Sequence, residues 1–426
     1  TRADGQEPVS NGLSGVSIQD GAQHNQIGGT AGGSGNLLSG NALDGVQIAD
    51  SDTLSNTVQG NAIGANLMGT EALPNGLHGV DLRDGAHDNL VGGDRLAGAG
   101  NLISGNRNHG VVIAYGAHHN TVAGNLIGPD ATGRYSLGNH PLGGIDVAEG
   151  AHDNVIGGLT PGWGNLISGN QTDGLALFTS TGEDTTDNQV LGNRIGLQLD
   201  GVNPLPNSGF GIFNSSGAVR TTMVSNTIAF NTSHGVLMAT CDGHTLSRNA
   251  IYSNTLSGIR LEAPCLAAPQ ILSITLGADQ VVSGTTAPDA RVEFFSDDAD
   301  EGRVYEGYTL ADGMGQFSYR QAGGFSGPNL TATATDAAGN TSEFSAPTHL
   351  LWTLLLYLNG DNDLELYMFD TLTQTAAAGP SPRANVLALV DGYTNTLTTS
   401  GTVLYDLTRG ATTPISSPVT LGGERN

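Results

Sequence analysis

The stretch Gly100–Asn106 reads GNLISGN. It recurs letter for letter at Gly164–Asn170, and as GNLLSGN at Gly35–Asn41, about 65 residues apart each time. Between these copies runs a second motif, glycine followed by apolar-x-apolar. It reads GVSI at Gly15, GVQI at Gly45, GVDL at Gly79, GVVI at Gly110, GIDV at Gly144 and GLAL at Gly174, with looser copies at Gly211, Gly235 and Gly258. Self-similarity at this period, with apolar residues alternating, predicts a solenoid of short strands. The late units, 23 and 24 residues long, are the length of one coil of a parallel β-helix. The early units carry insertions in two alternating styles, so the heptad marks every second coil.

Stacked coils place Val16, Val46, Val80, Val111, Ile145 and Leu175 in one inward column, with rungs ~4.8 Å apart. An asparagine closes each unit, at Asn41, Asn75, Asn106, Asn139, Asn170, Asn207, Asn231 and Asn254. Stacked amides of this kind bond coil to coil. Corner glycines and asparagines are expected to take left-handed conformations. About nine coils make a rod of roughly 40 Å. Cys241 and Cys265 fall at matching places on neighbouring coils, which predicts a disulfide and an oxidising, extracellular compartment.

The chain of 426 residues carries 15 basic residues, all arginine, against 40 acidic ones, a net charge of −25. Such a surface repels phosphate backbones, so nucleic acid is not an expected partner. No apolar run reaches the ~18 residues of a membrane span. The longest is Leu350–Leu358.

The pattern GVxI…GAxxNxIGG…GNLISGN resembles the right-handed parallel β-helix repeats of secreted bacterial proteins, over residues 1–265. VVSGTTAPDARVEFFSDD at Val281 and LTATATDAAGNTSEFS at Leu330 resemble a bacterial immunoglobulin-like domain over 266–348. WTLLLYLNGDNDLELYMFDTL at Trp352, NVLALVDG at Asn385 and the ending LGGERN resemble the opening of a clostripain-type cysteine peptidase, over 349–426. That segment is expected as a truncated α/β unit, with a helix from about Leu364 to Ala378. The family's catalytic cysteine and histidine find no match, because no cysteine follows Cys265 and the last histidine is His349. The expected class is therefore mainly β: a right-handed parallel β-helix, a β-sandwich and a partial α/β segment.

Three candidate sites stand out. The GAxxN turns place His87, His118 and His152 on successive coils, followed by Asp88, His119 and Asp153. Imidazoles beside carboxylates are a ligand set for Zn²⁺. The outward position of GVxI carries Asp81 and Asp146, two rungs apart on a face expected to be solvated, near the carboxylate spacing of inverting glycosidases. The turns at Asp50 and Asn359 are acidic enough for Ca²⁺. Glycosylation sequons occur at Asn170, Asn214, Asn231, Asn329 and Asn340.

The sequence thus predicts an extracellular or cell-surface structural protein of bacterial type, a rod, fibre subunit or adhesin stalk, without catalytic residues of its own. Head-to-tail self-association in a fibre is expected to complete both an open β-helix end and the incomplete sheet of 349–426. Alternatives are a polysaccharide lyase or hydrolase acting on the β-helix face, and the non-catalytic part of a peptidase precursor.

Overall fold

The computed structural model describes residue 5, residues 7–263, 265–275 and 279–349, and the backbone of three later strands. The expected helix at 364–378 and the acidic loop after Gly360 lie outside the described residues.

The described residues up to Leu261 form a parallel β-helix with three walls. The first wall has nine strands, from Val16–Ile18 to Ile259–Leu261, in sequence order. The second and third walls have eight strands each. In the first wall Val46 pairs with Val80, Val80 with Val111, Val111 with Ile145 and Ile145 with Leu175, as the motif spacing predicted. Every second residue points inward, and from Val46 to Ile212 this column is buried. Matching columns come from the second wall (Val58, Val91, Val122, Ile156) and the third (Ile63, Ile103, Ile127, Ile167). Each inward side chain packs on its equivalents above and below, so apolar contact repeats along the whole rod.

Three asparagine ladders hold the corners. One runs from Asn25 to Asn188, one from Asn36 to Asn249, and one from Asn11 to Asn254. In the middle ladder Asn125 Oδ1 accepts from both the backbone N–H and the amide of Asn101, at 3.0 and 2.9 Å. The Asn125 amide donates to Asn165 Oδ1 at 3.1 Å and to the carbonyl of Val91 at 2.9 Å. Each buried amide is thereby satisfied without water.

One expectation is corrected here. No ladder asparagine is left-handed; at many of these corners the left-handed residue is the one before it. Asp88, His119, Asp153 and Asp187 hold φ between 54° and 58°, and Gly105 and Gly169 hold 76° and 72°. That turn of the backbone swings the next side chain into the corner. Heptad glycine Gly100 serves differently: a Cβ there would lie 2.2 Å from the carbonyl oxygen of Gly124 on the next coil. The heptad is thus one corner, one rung of the third wall and the next corner. Leu102 points out and Ile103 in, Ser104 donates to the carbonyl of Pro129, and Gly105 sets up Asn106.

Residues 270–349 form two antiparallel sheets. One contains Gln270–Thr275, Asp279–Thr285 and Gln316–Ala322; the other contains Val304–Leu310, Arg291–Asp297, Asn329–Thr335 and Thr348–His349. They share a core of Val282, Phe294, Phe317 and Leu330. This sandwich closes the end of the β-helix. Ile251 and Gly302 exchange two backbone hydrogen bonds, of 2.8 and 2.7 Å. Glu301 Oε2 accepts from Asn254 N at 3.3 Å, in the position the next ladder asparagine would fill. Glu293 accepts from Arg248 N and Ser247 Oγ, Glu343 accepts from Leu261 N, and Phe344 packs on the core. At this end of the β-helix the sandwich supplies acceptors and strand edge from within the chain.

Cys241 and Cys265 form the disulfide, with Cα atoms 5.2 Å apart and a sequence separation of 24. It ties the last coils to the segment entering the sandwich. Replacing both with serine is expected to lower stability by about 3 kcal/mol, the loop-closure entropy for that separation, measured as a shift in denaturant midpoint. Beyond the sandwich, Trp352–Gly360 pairs parallel with Ala384–Gly392, which pairs antiparallel with Gly401–Asp406. No described helix is long and apolar enough to cross a membrane.

Candidate functional site

The outer face of the nine-stranded wall carries three polar rows. The row just before the motif glycine holds Asp44, His78, His109 and Asp173. The next outward row holds Gln47, Asp81, Val112 and Asp146. Arg83 and Tyr115 stand beyond them. The His78 and His109 rings stack with centroids 5.6 Å apart. Asp44 Oδ1 accepts from the backbone N–H of His78 at 3.0 Å. Arg83 lies 3.5 Å from Asp81, binds Asp84 at 2.9 Å and sits over the Tyr115 ring at 4.9 Å.

The expectation of a solvated face is corrected: Asp81 is 4% exposed and Asp146 7%. An aspartate side chain is short, and taller neighbours in adjacent rows screen it from water. Burial, reinforced by Glu149, pushes Asp146 up to about 7. Burial and then Asp44 push Asp81 up to about 6, against the pull of Arg83 and Gln47. The pair is lopsided, since Arg83 is held firmly charged while its carboxylate partner is not. Burial and its stacked neighbour lower His109 to about 3, and burial lowers His78 as well. Three buried atoms of this face lack a hydrogen-bond partner: His78 Nδ1, His109 Nδ1 and Asp146 Oδ1. Unpaired buried polar atoms are costly and mark candidate ligand positions. The GVxI alternation marks the two aspartates but not His78, His109 and Asp44. Their signal was the residue preceding each motif glycine.

The turn histidines stack as expected. His87, His118 and His152 have centroids 4.8 Å apart at each step, and His119 meets His118 edge-on. His87 Nδ1 lies 2.7 Å from Asp88, His152 Nδ1 lies 2.8 Å from Asp153, and His118 Nδ1 lies 3.0 Å from the carbonyl of Gly116. Parallel rings at this spacing aim their nitrogens side by side. Among the described residues no group of three or more His, Cys, Asp or Glu is placed to hold a metal ion, at these turns or at Asp50. Asn170, Asn214, Asn231 and Asn329 are buried, with their amides engaged inside the protein, and Asn340 binds Asp336.

No protein-family model matches the sequence, and no curated protein matches it. Among solved structures, the chain is similar to the periplasmic alginate epimerase AlgG, at 17% identity and a TM-score of 0.34 over 53% of this chain and 49% of that one. It is also similar to the A-module of the Azotobacter vinelandii mannuronan C-5 epimerase AlgE4, at 13% identity and 0.31 over 52% and 62%. A third is the enzymatically active domain of bacteriophage CBA120 tailspike protein 2, at 9% identity and 0.19 over 80% and 71%. The chain spans about half the length of the AlgG structure it matches.

Proposed function

We propose that this chain is a secreted or cell-surface rod of bacterial type, a scaffold that holds other modules at a fixed distance. The observation that carries the reading is the continuity of its three asparagine ladders, the longest running from Asn11 to Asn254 and ending on Glu301 of the sandwich. A solenoid built this way is stiff because each coil bonds only to its neighbours and every rung repeats the same bonds. The disulfide supports an oxidising compartment. The heptad offers a direct test. Deleting residues 101–164 joins Gly100 to Asn165 and restores GNLISGN across the junction. The shortened chain is expected to stay folded, with its long axis about 10 Å shorter by X-ray scattering, two strand spacings. Collapse, or an unchanged length, contradicts a rod assembled from interchangeable coils.

A second reading has its own support in the buried carboxyl groups of the nine-stranded face. A carboxylic acid raised to about 7 is suited to donate a proton at neutral pH. Asp81, two rungs away and beside Arg83, ionises first. Two strand spacings, ~9–10 Å, approach the separation that admits a water molecule in inverting glycoside hydrolysis. In this reading Asp146 is the acid, Asp81 the base and the substrate a polysaccharide.

A further inference from the structure

The third wall of the β-helix has an outer face of its own, flanked by two rows of loops. Residues 29–34, 93–99 and 158–163 line one side, on the first, third and fifth coils. Residues 66–73, 130–137 and 197–205 line the other, on the second, fourth and sixth. These are the alternating insertions that give the sequence its longer repeat. Each row is tied lengthwise. Arg95 N donates to Gly162 O on one side; on the other, Ala131 N donates to Gly69 O and Leu199 N to Gly133 O. The floor between the rows is apolar, with Leu102, Leu126 and Leu166 in register.

Two cavities of about 260 and 270 Å³ open along this channel, and Arg95 lines both. Arg194 shares the first with it. The chain has 15 arginines against 40 acidic residues, yet neither of these two makes an ion pair among the described residues. Each guanidinium is steadied by one bond to a backbone carbonyl, Arg95 to Gly164 at 3.0 Å and Arg194 to Leu199 at 2.8 Å. Four of the five N–H donors on each have no protein acceptor among these bonds. Burial and then the charge of Arg194 lower the pKa of Arg95, a repulsion that an anion between them relieves.

We propose that this channel binds an acidic saccharide, with Arg95 and Arg194 receiving its carboxylates and the leucine floor receiving the C–H faces of its rings. A guanidinium fork matches a carboxylate in two-point geometry. The cavities are smaller than the ~300 Å³ at which sites for drug-sized ligands begin, a size for single rings strung along a channel. Nucleic acid, the other linear polyanion, is disfavoured by the charge of −25. The inference depends on neither reading above, since it uses a different wall from Asp81 and Asp146.

The test is calorimetric titration of the intact chain with a short oligogalacturonate, a neutral cello-oligosaccharide, acetate and inorganic phosphate. The expected result is binding of the oligogalacturonate alone, weakened by salt, and weakened about ten-fold or more by Arg194→Gln, the loss of one charge-assisted pair. Arg194 is exposed, so this variant leaves the fold intact. Arg95→Gln, checked by its melting temperature, is expected to weaken binding as much. No binding at millimolar uronate overturns the proposal, as does equal binding of the neutral sugar. Displacement of the saccharide by acetate or phosphate at equal concentration reduces the site to a simple anion site and overturns it as well. So does unchanged affinity in Arg194→Gln.

Discussion

Replacing Asn125 with alanine is expected to remove about 3–6 kcal/mol from the stability of the β-helix. The substitution leaves the backbone N–H of Asn101 without an acceptor and takes one bond from its amide. It also strips the carbonyl of Val91 of its amide donor and Asn165 Oδ1 of one of two. Each such buried group costs about 1–3 kcal/mol when unpaired, and the vacated corner adds a small void. Because a solenoid can unfold in parts, the effect is best read by hydrogen exchange. Amides of the third to fifth coils should lose protection first, and those of the sandwich last. Uniform loss across all coils would instead mean that the rod unfolds as one unit.

The opposite sign is expected for Asp146→Asn. The folded-state pKa of Asp146 is raised to about 7, so the folded protein holds a proton that the unfolded chain gives up near 4. Stability from this group is therefore full in acid and is lost as pH rises from about 4 through 7. Asparagine removes that loss. The variant should match the parent near pH 4 and exceed it by about 2–4 kcal/mol at pH 8, the difference saturating above 7. Asp81 and Glu301, raised to about 6 and about 7, slope the same way. His109 and His244, lowered to about 3 and about 4, slope oppositely, losing stability as pH falls through 6.5. The two sets oppose each other between about 4 and 6.5. The carboxyl groups act alone above that window and the histidines alone below it. Denaturant titrations at pH 4, 6 and 8 measure all of this. The same variant tests glycan cleavage. If Asp146 is a general acid, any release of reducing ends from polysaccharide falls by about 10²-fold or more while stability rises. If activity survives, the second reading fails and the structural effect stands.

Much of this architecture is legible in the sequence because a solenoid writes its contacts locally. The inward columns, the ladder from Asn41 to Asn254 and the Cys241–Cys265 bond all follow from placing equal motifs at equal heights. The rest depends on distances that spacing does not carry. Gly105–Asn106 and Asp88–Asn89 hold a left-handed residue before the asparagine, but the letters alone suggest that asparagine takes it. Outward alternation marks Asp81 and Asp146 as exposed, whereas their burial arises from the height of neighbouring rows. The cap at the rod's end uses Glu293, Glu301 and Glu343, which lie 45 or more residues from Arg248 and Asn254 and 82 from Leu261. No local pattern announces them.

Ladder and cap make one continuous rod, and amide exchange on the intact chain reads that continuity coil by coil. Backbone N–H groups of Asn61, Asn101, Asn165, Asn193 and Asn226 each bond to the next asparagine, while those of Arg248 and Asn254 bond to sandwich carboxylates. Arg248 and Asn254 are expected to exchange as slowly as the ladder asparagines of the middle coils. Fast exchange at the last coil, with the middle protected, would show a frayed end that the sandwich does not complete, and would contradict that continuity.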